Sequence, residues 1–345
     1  MTHKIRNCLR NNKGEFSYIS SAVFILVGVL VLMIIIDVMS IIMTNVLFFS
    51  FLLRYMNFCD IMEKRTPLSH QRKDNPMYTK QQLAATFERI GLAYDPAAEP
   101  TEALAGAVQY AFQKTVPYEN LDILRGIPLS LDYDALYDKI VTHHRGGYCF
   151  EINGFLGEVY RSLGFGVTEY MARFLRGETE IPMRRHRVLA VQAVDCAVPL
   201  ICDAGIGQSA FRLPLHLEDG YENTQYSETY RVERQPFYGW AISDWHKGAY
   251  RPFYSFTEEE QLNIDYVMPS FWCEHAPESP FTSAEMFSIK TDTGRITLDA
   301  NKFHLFDGEN VTERILSEDE VRETYASVFG LPYEPLPNAE RFPVA

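Results

Sequence analysis

Residues 145–165 read RGGYCFEINGFLGEVYRSLGF, a glycine pair, then a cysteine, then a run with apolar residues at helical spacing. Ile152, Phe155, Leu156, Val159 and Leu163 share one face, and Gly164 closes the run, so the spacing predicts a helix beginning at the cysteine. Gly146 and Gly147 let the backbone turn tightly ahead of it, which puts Cys149 in the first helical turn. A helix start offers free amides and partial positive charge, and both favour thiolate over thiol. A thiolate so placed is a nucleophile, whereas a lone cysteine is more often a buried structural residue. The setting by itself leaves both roles open.

Outward from this segment the chain falls into zones. Upstream, TKQQLAATFERIGL (79–92) and LDYDALYDKIV (131–141) carry helical spacing, so residues 77–164 are expected to form a helical domain holding the nucleophile. Downstream, GVTEYMARFL (166–175), HRVLAVQAV (186–194) and VPLICDAG (198–205) are short, rich in β-branched residues and separated by turn residues. They predict an antiparallel β-barrel domain over 165–265. Residues 266–345 mix strand-like pieces, MFSIKT (286–291) and RITLDANKFHLFD (295–307), with a last helix capped by Ser317 and Glu320. The order helices, strands, then both gives the fold class α+β, with an α/β lid domain last.

A nucleophilic thiol needs a base. His143 and His144 precede the glycine turn and stay with the preceding helix end, while His186 opens the apolar strand VLAV. Asp203 follows VPLIC. If the two strands form a hairpin turning near Asp195, residues whose numbers sum to 389 oppose each other, and His186 and Asp203 are such a pair. Cross-strand neighbours lie about 4.5–5.5 Å apart at Cβ, within reach of an imidazole–carboxylate contact. Gly205 and Gly207 would let the chain come close to Asp203 or to a ligand. Arg184, Arg185 and Arg187 form the densest basic cluster of the body, which suits either an anionic cofactor or a solvated run of charge.

Ahead of this body, residues 17–53 are apolar apart from Asp37 and a few small polar residues. The stretch 17–36 is long enough to span about 30 Å as a helix, and basic residues flank both sides. A membrane-spanning hairpin within 1–59 with both ends cytoplasmic is expected, and one long tilted span with the body outside is the alternative. Residues 60–76 (DIMEKRTPLSHQRKDNP) are a polar linker, and Met77 follows.

Of 345 residues, positions 1–75 hold 9 Lys and Arg against 5 Asp and Glu, which leaves 23 against 40 for the rest. So acidic a body argues against general nucleic-acid binding, which needs basic surface. The six cysteines, at 8, 59, 149, 196, 202 and 273, include no CxxC pair, which argues against a zinc cluster, and form no disulfide framework. No metal is expected, and free thiols fit a reducing, cytoplasmic compartment.

Taken together, VPYENLDI (116–123), RGGYCFEINGFLGEVYRSLGF, RRHRVLAV (184–191), CDAGIG (202–207), YRPFYSF (250–256) and EHAPESPF (274–281) resemble the arylamine N-acetyltransferase family. The resemblance runs from Tyr78 to Leu331. It implies a Cys149–His186–Asp203 triad, acetyl-CoA as co-substrate, and transfer of acetyl through a Cys149 thioester to an arylamine or hydrazine. Gly205, Gly207 and Arg185 would meet the cofactor, and Tyr118 and Ile206 the acceptor. Both acceptor positions depart from the family, which has Phe at each. The same triad would also serve an amide synthase of this family or a papain- or transglutaminase-like hydrolase.

Overall fold

The computed structural model describes residues 78–334 apart from Glu309, together with the single positions Met33 and Met39. The hairpin expected over 17–53 and the linker 60–76 lie outside the described residues. Among the described residues, no helix is long and apolar enough to cross a membrane. The chain divides into two compact units, 1–67 and 68–345, and every helix and strand with described bounds lies in the second.

Helix α1 (Lys80–Arg89) starts on a capping box. The Thr79 hydroxyl accepts from the Gln82 amide at 3.2 Å, and Gln82 Oε1 accepts from the Thr79 amide at 2.9 Å. There follow α2 (Glu102–Thr115), the two-residue strand β1 (Tyr118–Glu119), α3 (Leu121–Arg125) and α4 (Tyr133–Tyr137), which runs into one π-turn at Asp138–Thr142. Helix α5 (Cys149–Ser162) then starts at the cysteine, as its spacing predicts. It is not a one-sided helix, because every residue from Cys149 to Tyr160 is buried. Ile152, Phe155, Leu156 and Val159 join a core with Leu83, Phe87, Val108 and Phe112 from α1 and α2 and Leu189 and Val191 from the sheet. Burying a side chain of that size contributes about 1.5–3 kcal/mol, so α5 is the most strongly anchored helix of the body.

The strands β2 (Gly166–Phe174), β3 (His186–Gln192), β4 (Leu200–Cys202), β5 (Leu215–His216), β6 (Tyr221–Gln225), β7 (Glu228–Gln235), β8 (Gly239–His246) and β9 (Ala249–Phe256) form one antiparallel sheet, ordered 5-4-3-2-9-8-7-6. Its end strands β5 and β6 contact each other, so the sheet nearly closes into a barrel. The pairing between β3 and β4 corrects the expected register. Leu189 faces Cys202, Ala190 faces Ile201 and Val191 faces Leu200, so opposed numbers sum to 391 rather than 389. The two-residue shift keeps each side chain on its face, and His186 and Asp203 become diagonal rather than direct neighbours.

After α6 (Val267–His275), strands β10 (Phe287–Lys290), β11 (Gly294–Asp299), β12 (Lys302–Asp307) and β13 (Asn310–Ile315) form a second sheet, against which α7 (Glu318–Ser327) buries Val321 and Tyr325. This sheet takes its edge strand from the helical region: β1 pairs with β10, Tyr118 opposite Ser288 and Glu119 opposite Phe287. The layers are therefore less segregated than the order of sequence patterns implies. A two-residue strand leaves no periodic signal to read.

Candidate active site

The glycine turn before α5 is forced by close approach. A Cβ on Gly146 would lie 1.9 Å from the carbonyl oxygen of Pro117. Glycine here lets the turn run against β1, where the Glu119 amide donates to the Gly147 carbonyl at 2.9 Å. That contact aligns Tyr118 and Cys149, whose side chains both join the cluster around Tyr148, Phe150 and Cys273.

Beneath the turn lies a knot of ion pairs. Arg145 Nη2 reaches Glu119 Oε1 and Asp122 Oδ1, each at 2.8 Å. Lys139 Nζ reaches Asp122 at 2.7 Å and Glu151 at 2.6 Å. Asn120 fastens the other flank, donating to the carbonyls of Phe281 and Ala284 and accepting from the Met286 amide. Three successive residues of the VPYENLDI segment thus have separate jobs: Tyr118 lines the site, Glu119 holds the turn and Asn120 holds the 281–286 loop.

His186 Nε2 donates to Asp203 Oδ2 at 2.6 Å, with both side chains fully buried. Asp203 Oδ1 accepts from Asn153 Nδ2 at 2.8 Å and from the Gly205 amide at 2.9 Å. Two fixed donors thus meet Oδ1, and an imidazole carrying its proton on Nε2 would supply a third to Oδ2. The other ring nitrogen, Nδ1, is buried and makes no hydrogen bond. In the tautomer with its proton on Nε2, this atom carries the ring's free lone pair. The ring is wedged by Phe174 and Tyr254, with centroids at 4.8 and 5.3 Å.

Asp203 is itself held on its backbone. Gln109 Oε1 accepts from the Asp203 amide at 2.9 Å, and Gln113 Nε2 donates to the Asp203 carbonyl at 3.3 Å. Asn153 binds both the Arg187 carbonyl and the Ala204 amide, so one α5 side chain ties together the strands that carry the histidine and the aspartate. Sequence reasoning missed Asn153, Gln109, Gln113 and Tyr254. A signal existed for Asn153, a polar residue one helical turn after Cys149 and so on the same side of the helix.

Cys149 is 1% exposed, and its Sγ lies 3.8 Å from the Arg185 carbonyl oxygen. Burial, then Cys273 and Asp203, push its thiol well above the ordinary range, while Arg185 pulls the other way. Amides at the helix start favour thiolate and desolvation opposes it, so transfer of the proton to a base is what would make this sulfur a nucleophile.

The remaining expected residues divide. Gly205 packs so closely that a Cβ would lie 2.8 Å from Cys149 Cα, and Gly207 sits under the Tyr118 ring at φ +70°. Both have a packing use, whatever else approaches them. Arg185 lies near Cys149, Tyr118 and Cys273, with Glu178 3.5 Å away. Arg187 is fully buried against Glu169 at 2.6 Å, which removes it from the basic cluster expected to meet an anion. Ile206 is half-buried against the apolar cluster of the first sheet. His143 and His144 are exposed at the end of the π-turn.

A family model described as N-acetyltransferase matches residues 102–336. The arylamine N-acetyltransferase of Mycolicibacterium smegmatis is 32% identical over 220 residues, covering 63% of this chain and 79% of that protein. That of Escherichia coli K12 is 34% identical over 223 residues, covering 63% and 78%. Among solved structures, the arylamine N-acetyltransferase from Salmonella typhimurium superposes with a TM-score of 0.70 at 26% identity, over 76% of this chain and 95% of that one. A structure of the Mycobacterium marinum enzyme in complex with CoA superposes at 0.67 with 26% identity, over 75% and 94%.

Proposed function

The chain belongs to the arylamine N-acetyltransferase family, and on that premise we propose that Cys149, His186 and Asp203 are its catalytic triad. The protein is an acyltransferase that moves the acetyl group of acetyl-CoA to arylamines. The observation that carries the residue assignment is the asymmetry of His186: one ring nitrogen is bound to Asp203 at 2.6 Å, and the other is buried without a partner. A nitrogen so left can take the Cys149 proton, and Asp203 then stabilises the imidazolium.

The thiolate attacks the carbonyl carbon of acetyl-CoA, and a backbone amide at Cys149 is the natural donor for the charge that develops on the oxygen. The tetrahedral adduct collapses, the CoA sulfur leaves with the proton held by His186, and Cys149 keeps the acetyl group as a thioester. An incoming amine attacks that thioester, gives its proton to His186, and the acetyl–sulfur bond breaks to release the amide. Burial suits this cycle. A thiol in a dry site becomes a strong nucleophile when the imidazole receives its proton.

Tyr118 and Ile206 set the acceptor side, and Gly205, Gly207 and Arg185 the cofactor side. We further propose the division 77–164, 165–265 and 266–345, and a membrane hairpin over 17–53 with a cytoplasmic catalytic body. Retention of the full chain, but not of residues 77–345, in the membrane fraction after alkaline carbonate would support the hairpin. For the triad, intact-mass spectra after incubation with acetyl-CoA should show one acetyl adduct that vanishes in Cys149→Ser. An adduct unchanged in that variant overturns the nucleophile.

A further inference from the structure

We propose that Glu102, Cys196 and His216 form a binding site for one zinc-type divalent metal ion, separate from the acetyl-transfer site. The three residues come from the first turn of α2, the turn between β3 and β4, and strand β5. Their ligand atoms all lie within 4.8 Å of one another. Cys196 Sγ donates to Glu102 Oε2 at 3.3 Å, and His216 Nε2 donates to Glu102 Oε1 at 2.9 Å. Asp195 stands beside them, its Oδ1 3.9 Å from the sulfur and accepting from the Glu102 amide at 2.8 Å.

Tetrahedral zinc, with sulfur at about 2.3 Å and nitrogen or oxygen at about 2.0–2.1 Å, sets sulfur–oxygen edges of about 3.5 Å and nitrogen–oxygen edges of about 3.3 Å. The sulfur and the ring nitrogen each stand near one of those edges, though from different oxygens of Glu102, so a small turn of the carboxylate would present one oxygen to both. Binding would release the thiol proton to solvent and move the His216 proton to Nδ1, so that thiolate, carboxylate and Nε2 lone pair all face the metal. Thiolate, imidazole and carboxylate together suit zinc better than magnesium or calcium, which prefer oxygen alone. With Asp195 adjacent, a thiolate would otherwise be a third negative group, and a divalent cation offsets that charge. The His216 ring stacks on Tyr221 at 4.8 Å with planes 2° apart, which fixes its orientation in advance. The three ligands leave a fourth position for water. The positions are 94 and 20 residues apart, so no local spacing reveals the site, and the absence of CxxC says nothing against it.

The ion would pin the first turn of α2, the helix whose Gln109 and Gln113 hold Asp203. Cobalt(II) titration of the full chain carrying Cys149→Ser removes the reactive thiol from the reading. We expect a near-ultraviolet thiolate-to-cobalt band saturating at one ion per chain, displaced by zinc. It should disappear when Cys196→Ser is added and survive Cys202→Ala. Zinc should also raise the melting temperature of the Cys149→Ser chain by a few degrees, and not that of the same chain carrying His216→Ala. No band with Cys149→Ser, or a band that persists through Cys196→Ser, overturns the site. If Cys196→Ser does not fold, an equal zinc shift with and without His216→Ala overturns it instead.

Discussion

Two polar clusters are buried around the start of α5, and they are built to opposite ends. In the first, Lys139, Arg145, Glu119, Asp122 and Glu151 leave no buried side-chain nitrogen or oxygen without a partner. In the second, His186, Asp203 and Asn153 are equally tightly bound, except for one ring nitrogen. A buried atom without a partner costs about 1–3 kcal/mol. The first cluster avoids that cost and serves as a clamp on the glycine turn. The second tolerates it at the one place where a proton is to be received, which is what separates a catalytic network from a structural one of like composition.

Breaking the two clusters should therefore damage different things. The largest effect is expected for Asp203→Asn, which leaves the packing but removes the charge and disturbs the tautomer. The acetylation rate should fall on the order of 10⁴-fold with the melting temperature little changed. Lys139→Ala should do the reverse. It removes the ion-pair partner of Glu151 and one of the two of Asp122, which keeps Arg145, and stability in urea should fall by about 3–5 kcal/mol, while the folded fraction still forms the acetyl adduct. Lys139→Ala losing activity without losing stability, or Asp203→Asn losing stability without losing activity, would break the distinction.

Glu285 tests the same rule away from both clusters. Burial holds its carboxyl up at about 7 against an ordinary 4.5. The folded state thus binds this proton more tightly than the unfolded chain. The stability it contributes is full below pH 4.5 and is lost as pH rises through about 7. Glu285→Gln should flatten that fall, gaining up to about 3 kcal/mol over the wild type at pH 8 and little at pH 4, as read by urea melts at the two values. The smallest effect is expected for Asn153→Ala. Without its donor, Asp203 and the Arg187 carbonyl lose their common tie, and kcat should drop up to about 100-fold while KM moves little. A drop confined to KM would remove Asn153 from the positioning of the triad.

Much of this was legible before any coordinates. Helix α5 and its start at Cys149 follow from apolar spacing and a glycine pair, and the strands bearing His186 and Asp203 follow from β-branched runs between turn residues. The register was two residues off and the pairing still held, because alternation along a strand has a period of two and an even slip preserves the face. An odd slip would have sent His186 to the opposite side. The neighbours of the triad were not legible in the same way. Gln109 and Gln113 read as ordinary polar positions on a helix, and they meet Asp203 only because α2 crosses the loop some ninety residues later in the chain.

By itself, then, the sequence determined the family, the chemistry and the identity of the three candidate residues. These depend on local residue types, which periodicity and short motifs record. Only the tertiary structure decided the surroundings on which the protonation of the site depends. Whether Cys149 rests as thiol or thiolate depends on how completely water is removed from it, and which nitrogen of His186 is free depends on the donors that crowd Asp203. Desolvation and hydrogen-bond satisfaction are sums over everything packed nearby, drawn from segments far apart in the chain, and no stretch of sequence contains them.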